Sequence, residues 1–123
     1  MTRLTTGFAG SALLACAGFA QAEDISATAL FAAYERNQIV AEDGYNGRRI
    51  TISGRVSAIE DAMMGASAVF LAAGENGKSV RCHFPKNAKP ELAGVKVGDQ
   101  VTFACTVEYR MNSTIHASSC SRN

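Results

Sequence analysis

The stretch RRITISGRV, residues 48–56, decides the fold of this 123-residue chain. From Ile50 onward apolar and polar side chains alternate, which is the two-residue period of a strand with one buried face. Gly54 interrupts the alternation, and a glycine inside a strand indicates a bend or bulge of the kind that small barrels need. Ile59 falls out of phase with Val56, which fits a bulge nearby. We therefore predict a strongly curved strand here.

Four further segments repeat the alternation and are separated by turn-forming residues. Pro85 and Pro90 interrupt the chain between the third and fourth strands, where we expect a single helical turn near Glu91. Three meandering strands, an irregular crossover and two more strands predict a mainly β domain, a five-stranded Greek-key barrel of the OB (oligonucleotide/oligosaccharide-binding) type. The predicted strands after the first cover residues 67–73, 79–84, 101–107 and 115–119.

An α-helix is predicted before the barrel. Leu30, Phe31 and Tyr34 recur at three- and four-residue spacing with other apolar residues, which predicts one amphipathic helix over residues 24–43. Asp24 or Ser26 can cap the start of this helix. Turn-forming Asp-Gly and Asn-Gly pairs end it.

The beginning of the chain has the pattern of a secretory signal peptide. Arg3 supplies a positive charge, residues 7–19 are apolar, and Ala20-Gln21-Ala22 is a small-x-small cleavage site. We predict cleavage after Ala22 and a periplasmic or secreted protein. An alternative is a lipoprotein anchored at Cys16, because residues 13–16 resemble a lipobox. The predicted parts of the chain are the signal peptide at 1–22, a helix with its linker at 23–46 and the OB-fold barrel at 47–123.

Charge and hydropathy limit the classes of partner. Removing the signal leaves eleven basic and eleven acidic residues, so the mature chain has no formal net charge with its histidines neutral. General nucleic-acid and anionic-membrane binders usually carry a basic excess, which disfavours both here. No second apolar run approaches the length of a membrane-spanning helix, so we predict no transmembrane segment.

Three cysteines remain after the signal: Cys82, Cys105 and Cys120. In an oxidising compartment two of them are expected to pair and one to be left over. A hairpin that turns at Asn112-Ser113 places Cys105 and Cys120 opposite each other, since both are equally distant from the turn. Connectivity cannot be decided from spacing alone.

Four short motifs and the last cysteine resemble a known family. The motifs are AYExN with a later YxG in residues 33–47, ITxxGxV at 50–56, VxCxF at 80–84 and VGDxV at 97–101, followed by Cys120. Together they resemble the tRNA-anti-like family of secreted OB-fold proteins over nearly the whole mature chain.

The resemblance implies a small envelope protein with a helix before its barrel, and it brings no catalytic residues. It also implies Cys82 as the partner of Cys120, against the Cys105 pairing that the hairpin favours. We leave the disulfide open between Cys82 and Cys105.

The residues give little indication of catalysis or of a metal. His83 and His116 are the only histidines and fall on neighbouring strands, but structural zinc needs four closely spaced ligands and no such cluster is present. The chain lacks a Gly-x-Ser-x-Gly elbow and a phosphate-binding glycine loop. We expect no enzyme, no metal and no cofactor.

OB barrels bind ligands on the exposed side of their second and third strands and on the first and last hairpin loops. If Val69 and Leu71 point inward, Phe70 points outward beside Arg81 and His83. The predicted ligand-binding residues are Phe70, Arg81 and His83 on the strands and Met63, Met64 and Arg110 in the loops. The alternative is that the N-terminal helix covers this patch and Phe70 belongs to the core.

These observations favour a non-catalytic envelope binding module for a protein, peptide or small ligand that remains unidentified. One alternative is a single-stranded nucleic-acid-binding OB domain, with Phe70 stacking on a base and Arg81 and Arg110 on phosphates. Another alternative is a periplasmic OB protein linked to cation or stress responses, in which His83 and His116 would bind the cation.

Overall fold

The computed structural model describes residues 23–122. The predicted signal peptide, with Cys16 and the cleavage site after Ala22, lies outside the described residues. The helices and strands are β1 (Asp24–Ser26), α1 (Ala27–Arg36), α2 (Gln38–Tyr45), β2 (Arg49–Asp61), β3 (Ser67–Ala72), β4 (Ser79–Phe84), α3 (Lys89–Leu92), β5 (Gln100–Met111) and β6 (Thr114–Arg122), with 3-10 turns at Met63–Gly65 and Lys86–Ala88.

Strands β2 to β6 form a five-stranded barrel in the order β2-β3-β4-β6-β5, which closes where β5 pairs with β2. The β4–β6 pair is parallel and the other barrel pairs are antiparallel. This arrangement confirms the predicted mainly β, OB-type fold. Strand β2 bends and pairs with two strands. Its residues 49–55 pair with β5, and its residues 56–61 pair with β3. The register shifts between Val56 and Ala58, which confirms the predicted bulge.

The predicted helix before the barrel is confirmed, but its extent over residues 24–43 is wrong. Asp24–Ser26 is extended and pairs in parallel with β2, and Asn37 divides the helix into α1 and α2. The Asn37 backbone is extended, and its Oδ1 accepts a hydrogen bond from the Val40 N–H at 3.2 Å. Asn37 therefore caps α2. The sequence pattern did not reveal this cap, because the apolar spacing of a helix continues on both sides of Asn37.

Helix α1 plugs one end of the barrel. Its Leu30, Phe31 and Tyr34 side chains are at most 1% exposed and belong to the same apolar core as the inward residues of the strands. Full burial of an apolar side chain of this size contributes about 1.5–3 kcal/mol. Gly54 permits the close packing, since a Cβ built on it would lie 3.2 Å from the Cβ atoms of both Ala27 and Leu71.

The crossover between β4 and β5 contains the expected helical turn as α3. The following turn is fastened to the bend of β2 by two backbone hydrogen bonds: Val56 N–H donates to Asp99 O at 2.9 Å, and Gly98 N–H donates to Val56 O at 2.8 Å. Gly98 has a φ of +98°, a conformation that favours glycine. The crossover thus holds the bulge in place.

Cys105 and Cys120 form a disulfide in the structure, with their Cα atoms 4.2 Å apart. The β5–β6 register shifts twice, once beside Glu108 and once beside Ser119, and the two shifts cancel. Counting from the turn therefore places Cys105 opposite Cys120 despite the bulges. Closing a loop of this length stabilises a fold by about 3 kcal/mol in the chain-entropy view. Cys82 is a free, buried thiol, so the pairing implied by the family resemblance is not the one present.

Among residues 23–122, none of the helices combines the length and the apolar character that crossing a bilayer requires.

Candidate functional site

One row of cross-strand partners runs around the outside of the barrel. Phe70 on β3 pairs with Arg81 on β4, Arg81 pairs with His116 on β6, and His116 pairs with Tyr109 on β5. Ala58 on β2 continues the row on the other side of Phe70. Neighbouring strands lie about 4.8 Å apart, so the five positions span roughly 19 Å. We call these five residues the outer row.

The β3 half of the outer row follows the predicted alternation. Val69 and Leu71 are fully buried, and Phe70 between them is half-buried on the opposite side of the strand. Phe70 lies directly across from Arg81, as expected, whereas His83 lies across from Ala68. His83 is therefore on the same face but outside the outer row.

The β5–β6 half of the outer row was missed by the sequence reasoning. The rings of Tyr109 and His116 are stacked, with centroids 4.8 Å apart and planes inclined by 17°. Tyr109 is 42% exposed, so this pair forms an accessible aromatic platform. A signal existed: counting outward from the turn at Asn112-Ser113 pairs residue 109 with residue 116, as the structure does. Continuing the alternation of residues 101–107 past the predicted end of that strand would place Tyr109 inward, but the bulge at Glu108 reverses the phase and turns it outward.

The imidazole of His116 is held toward its neutral form. Partial burial lowers the pKa of His116 below its usual 6.5, and the nearby Arg81 guanidinium lowers it further, while Glu108 opposes the shift. Glu108 itself accepts a short hydrogen bond from the Ser118 hydroxyl. At neutral pH the outer row therefore presents one formal positive charge, on Arg81, between two aromatic surfaces.

A groove of about 420 Å³ lies beside Phe70. Small side chains or glycines form most of its walls, and Glu60 and Lys78 bring opposite charges to it. Ser57 Oγ donates to the Phe70 carbonyl at 3.2 Å, which ties the bulged part of β2 to this strand. The lining residues are Ser57, Ala58, Glu60, Phe70, Ala72, Gly74, Gly77, Lys78, Ser79 and Thr114.

Helices α1 and α2 contribute nothing to the lining of this groove. Instead α1 buries its apolar face in the barrel end, as described above. Lys78 marks the boundary between the two regions, since its ammonium forms a 2.8 Å ion pair with Glu35 of α1 and lies 5.8 Å from the Phe31 ring. The alternative in which the N-terminal helix lies over Phe70 is therefore wrong for this structure.

The structure does not bring Arg110 to the outer face. Its Nη1 donates to Gln38 Oε1 at 3.0 Å, its Nε donates to Asn112 O at 2.9 Å, and its guanidinium carbon lies 5.0 Å from the Phe31 centroid. The bulge at Glu108 turns Arg110 toward the plugged end and Tyr109 outward. Arg110 therefore joins the helices to the β5–β6 hairpin.

Met63 and Met64 lie in the loop between β2 and β3 and are 83% and 91% exposed. Met64 adopts a left-handed backbone with φ of +58°. The next residue, Gly65, lies against the Lys86 side chain of the crossover. The loop thus offers two flexible apolar side chains to solvent on the crossover side of the barrel.

Within residues 23–122, the one cluster of side chains close enough to share a metal ion is Cys82, Cys105 and Cys120. Two of its sulfurs are joined in the disulfide, which leaves a single thiol as a ligand. His83 and His116 do not form such a cluster with other candidate ligands in this part of the chain.

The closed barrel, its helical plug and the open outer face define an OB-fold protein. The chain belongs to the tRNA_anti-like family, whose sequence model matches residues 13–120. This confirms the resemblance drawn from the sequence motifs. No curated protein sequence matches the chain.

Solved structures with a similar fold include two that align over most of this chain. A proposed nucleic acid-binding lipoprotein from Klebsiella pneumoniae subsp. pneumoniae has a TM-score of 0.69 at 13% identity, with 83% of this chain and 92% of that chain covered. A proposed aspartyl-tRNA synthetase from Leishmania major Friedlin has a TM-score of 0.58 at 15% identity, and the match covers 84% of this chain but 20% of that one. At these identities the likeness establishes the fold alone.

Proposed function

We propose that this protein is a non-catalytic binding module that takes a peptide or protein segment along its outer row. The observation that carries the proposal is the uncovered run of Phe70, Arg81, His116 and Tyr109 across four strands. Aromatic side chains with a polar edge and an arginine are the residue types that dominate binding at protein interfaces. The groove beside Phe70 has room for one side chain of a ligand.

The charge around the outer row supports a peptide over a polyanion. Glu60 lines the groove, Glu108 lies near His116, and Lys78 is paired with Glu35. Arg81 is therefore the main unneutralised cation of the row. A surface that tracks a phosphate backbone relies on several cations, since each neutralised phosphate contributes to affinity.

The proposed absence of catalysis rests on the chemistry of the row. The His116 ring is stacked on Tyr109, and the Ser118 hydroxyl two residues later is engaged with Glu108. Nucleophilic catalysis needs a hydroxyl or thiol hydrogen-bonded to a base, and within residues 23–122 neither histidine has such a partner.

A display selection tests the proposal. Peptides are selected on the purified wild-type protein without any counter-selection, and the enriched peptides are titrated against wild type and Phe70→Ala. We expect Phe70→Ala to weaken binding by about tenfold or more, since one aromatic anchor contributes about 2 kcal/mol. The matched control is Ile39→Ala, which truncates an apolar side chain that is 77% exposed on α2. Equal binding by wild type and Phe70→Ala would remove the outer row as the site.

Single-stranded nucleic acid is a second candidate because two aromatic surfaces flank Arg81, as in platforms that stack bases. The test is a titration with a fluorescein-labelled deoxythymidine 15-mer at low salt. Saturable binding that weakens with salt and with Tyr109→Ala would favour this candidate over the peptide. Absence of binding would remove it.

We also infer that the chain is exported after cleavage behind Ala22, which the signal pattern of its first residues supports. Intact-mass measurement of the protein recovered from a bacterial envelope fraction tests this inference. A chain that begins at Glu23 agrees with it, a diacylated chain that begins at Cys16 selects the lipoprotein, and an uncleaved chain contradicts both.

A further inference from the structure

The barrel core contains three cysteine sulfurs in mutual reach. Cys105 and Cys120 are bonded, and the sulfur of Cys82 lies with theirs in a cluster in which all three are within 4.8 Å of one another. All three side chains are at most 2% exposed. A thiol is therefore held against a disulfide in a place that external thiols and oxidants do not reach.

The topology makes Cys120 the cysteine that both others can share. Strand β6, which carries Cys120, lies between β4, which carries Cys82, and β5, which carries Cys105. Strands β4 and β5 are not neighbours in this order, so a direct Cys82–Cys105 bond would have to bridge across β6. Next to Cys120, Ser119 has a φ of +52° at the point where the β5–β6 register shifts. This bulge places Cys120 where the regular ladder is already interrupted.

We propose that Cys120 exchanges its disulfide partner between Cys105 and Cys82 within the folded core. In the exchange Cys82 loses its proton, and its sulfur forms a new bond to Cys120 Sγ as the Cys105–Cys120 bond breaks. Cys105 leaves as a thiolate and takes up the proton. Residues 23–122 hold one disulfide and one thiol before and after the step, so no oxidant or reductant is consumed.

Burial sets the pace of this exchange. Removal from water raises the pKa of the Cys82 thiol to about 12. The thiolate is the attacking species, so at neutral pH the reactive form is scarce and the exchange is slow compared with exchange between exposed thiols. The sulfurs need to approach from at most 4.8 Å to bonding distance, which is within the range of side-chain rotation and small strand movement.

The exchange moves a covalent anchor beneath the outer row. Cys82 lies between Arg81 and His83, whose side chains are on the outer face, and its backbone partners are Val69 and Ala117. A Cys82–Cys120 bond would fix β4 to β6 under Arg81, whereas the bond present fixes β5 to β6 at the Ser119 bulge. Only this link to ligand binding rests on the proposed function; the exchange itself does not.

Trypsin separates the three cysteines, because they fall in the fragments 82–86, 97–110 and 111–122. The folded oxidised protein is held at neutral pH, quenched in acid, unfolded and labelled with N-ethylmaleimide before digestion. We expect the label to be divided between Cys82 and Cys105, with none on Cys120. The Cys82→Ser variant is the control for scrambling during the procedure and is expected to carry no label on Cys105 or Cys120.

The second arm uses Cys105→Ser, refolded in a mixture of reduced and oxidised glutathione and checked by circular dichroism. We expect it to lose both titratable thiols by forming Cys82–Cys120. Label confined to Cys82 in the wild type overturns the proposal, and so does a folded Cys105→Ser protein that keeps two thiols. If Cys105→Ser does not fold, the wild-type label alone decides. Loss of peptide binding in Phe70→Ala bears on the proposed function and leaves these results unchanged.

Discussion

Within residues 23–122 Phe31 packs against Arg110, Phe70 is the cross-strand partner of Arg81, and the surroundings of these two pairs differ. At the plugged end of the barrel Phe31 is 1% exposed, and Arg110 lies over its ring while donating to Gln38 and Asn112. On the outer row Phe70 is half-buried across from Arg81, and among residues 23–122 the Arg81 guanidinium has no hydrogen-bond or ion-pair partner.

The difference comes from the position of the two N-terminal helices. Helix α1 fills the barrel end and engages the Arg110 guanidinium through Phe31, and α2 engages it through Gln38. The same residue types remain available on the face that the helices leave open. A phenylalanine and an arginine therefore belong to the packed interior or to an accessible surface according to what packs on them, and composition alone cannot separate the two cases.

The two phenylalanines give the largest expected effect. Phe31→Ala leaves a cavity at the junction of helix and barrel and is expected to lower the free energy of unfolding by about 3–5 kcal/mol. Phe70→Ala is expected to lower it by less than about 1.5 kcal/mol, because the ring is half-buried. Urea unfolding followed by circular dichroism measures both. Equal losses would remove the distinction between the regions.

Substitutions of the two arginines compare the two regions by their effects on stability and on peptide affinity. Arg110→Met keeps an apolar stem but removes two hydrogen bonds and the cation–π contact, so we expect a loss of about 1–2 kcal/mol in stability and unchanged peptide affinity. Arg81→Met is expected to change stability by less than about 0.5 kcal/mol and to lower affinity several-fold. An Arg81→Met protein that binds like wild type would contradict the proposed role of Arg81.

The ionisation of Tyr34 makes the stability of the plugged end depend on pH in the alkaline range. Burial, with Glu42 nearby, raises the pKa of Tyr34 from 10.0 to about 12, and its hydroxyl donates to Asn46 Oδ1. Above pH 10 the unfolded chain ionises at this tyrosine before the folded chain does, so the stability from the neutral hydroxyl is lost as pH rises. Tyr34→Phe is expected to be less stable by about 1 kcal/mol at neutral pH.

The gap between wild type and Tyr34→Phe is then expected to narrow between pH 10 and pH 12. Cys82 is common to both proteins, so its own titration cancels in the difference. A gap that stays constant over this range in urea titrations would contradict the assigned burial of the hydroxyl.

The smallest expected effect is the pH dependence of stability and peptide affinity that comes from His116 on the outer row. Because burial and Arg81 lower its pKa, the unfolded chain takes up the proton first as pH falls below 6.5. The wild type is therefore expected to lose more stability between pH 7 and pH 5 than His116→Gln, and its peptide affinity is expected to fall as a second positive charge develops beside Arg81. The two proteins serve as their own controls at pH 8, where the histidine is neutral. Parallel pH profiles would contradict the prediction.

The sequence was sufficient for the barrel because alternation, turn residues and the glycine in β2 each depend on neighbours a few positions away. The disulfide between Cys105 and Cys120 could be anticipated from distance to the turn, since the two bulges of that hairpin cancel. Phe70 and Arg81 were predicted as neighbours for the same reason, because a short hairpin fixes their register.

The remainder depended on features that a one-dimensional pattern does not contain. The bulge at Glu108 exchanged the faces of Tyr109 and Arg110, so the loop residue chosen for the site turned inward and its neighbour turned outward. Asn37 ends α1 and caps α2, although the apolar spacing of the sequence continues past this residue. The short β1 was missed because three residues carry too little alternation to distinguish a strand from a helix start.

The most direct test of the central claim is solvent paramagnetic relaxation of the aromatic ring protons in an assigned NMR spectrum, with a soluble gadolinium chelate as the probe. The ring of Tyr109 is expected to relax strongly and that of Phe70 to relax measurably, while Phe31 and Tyr34 stay protected. Protection of Phe70 equal to that of Phe31, or relaxation of Phe31 equal to that of Tyr109, would contradict the assignment of one region to the core and the other to recognition.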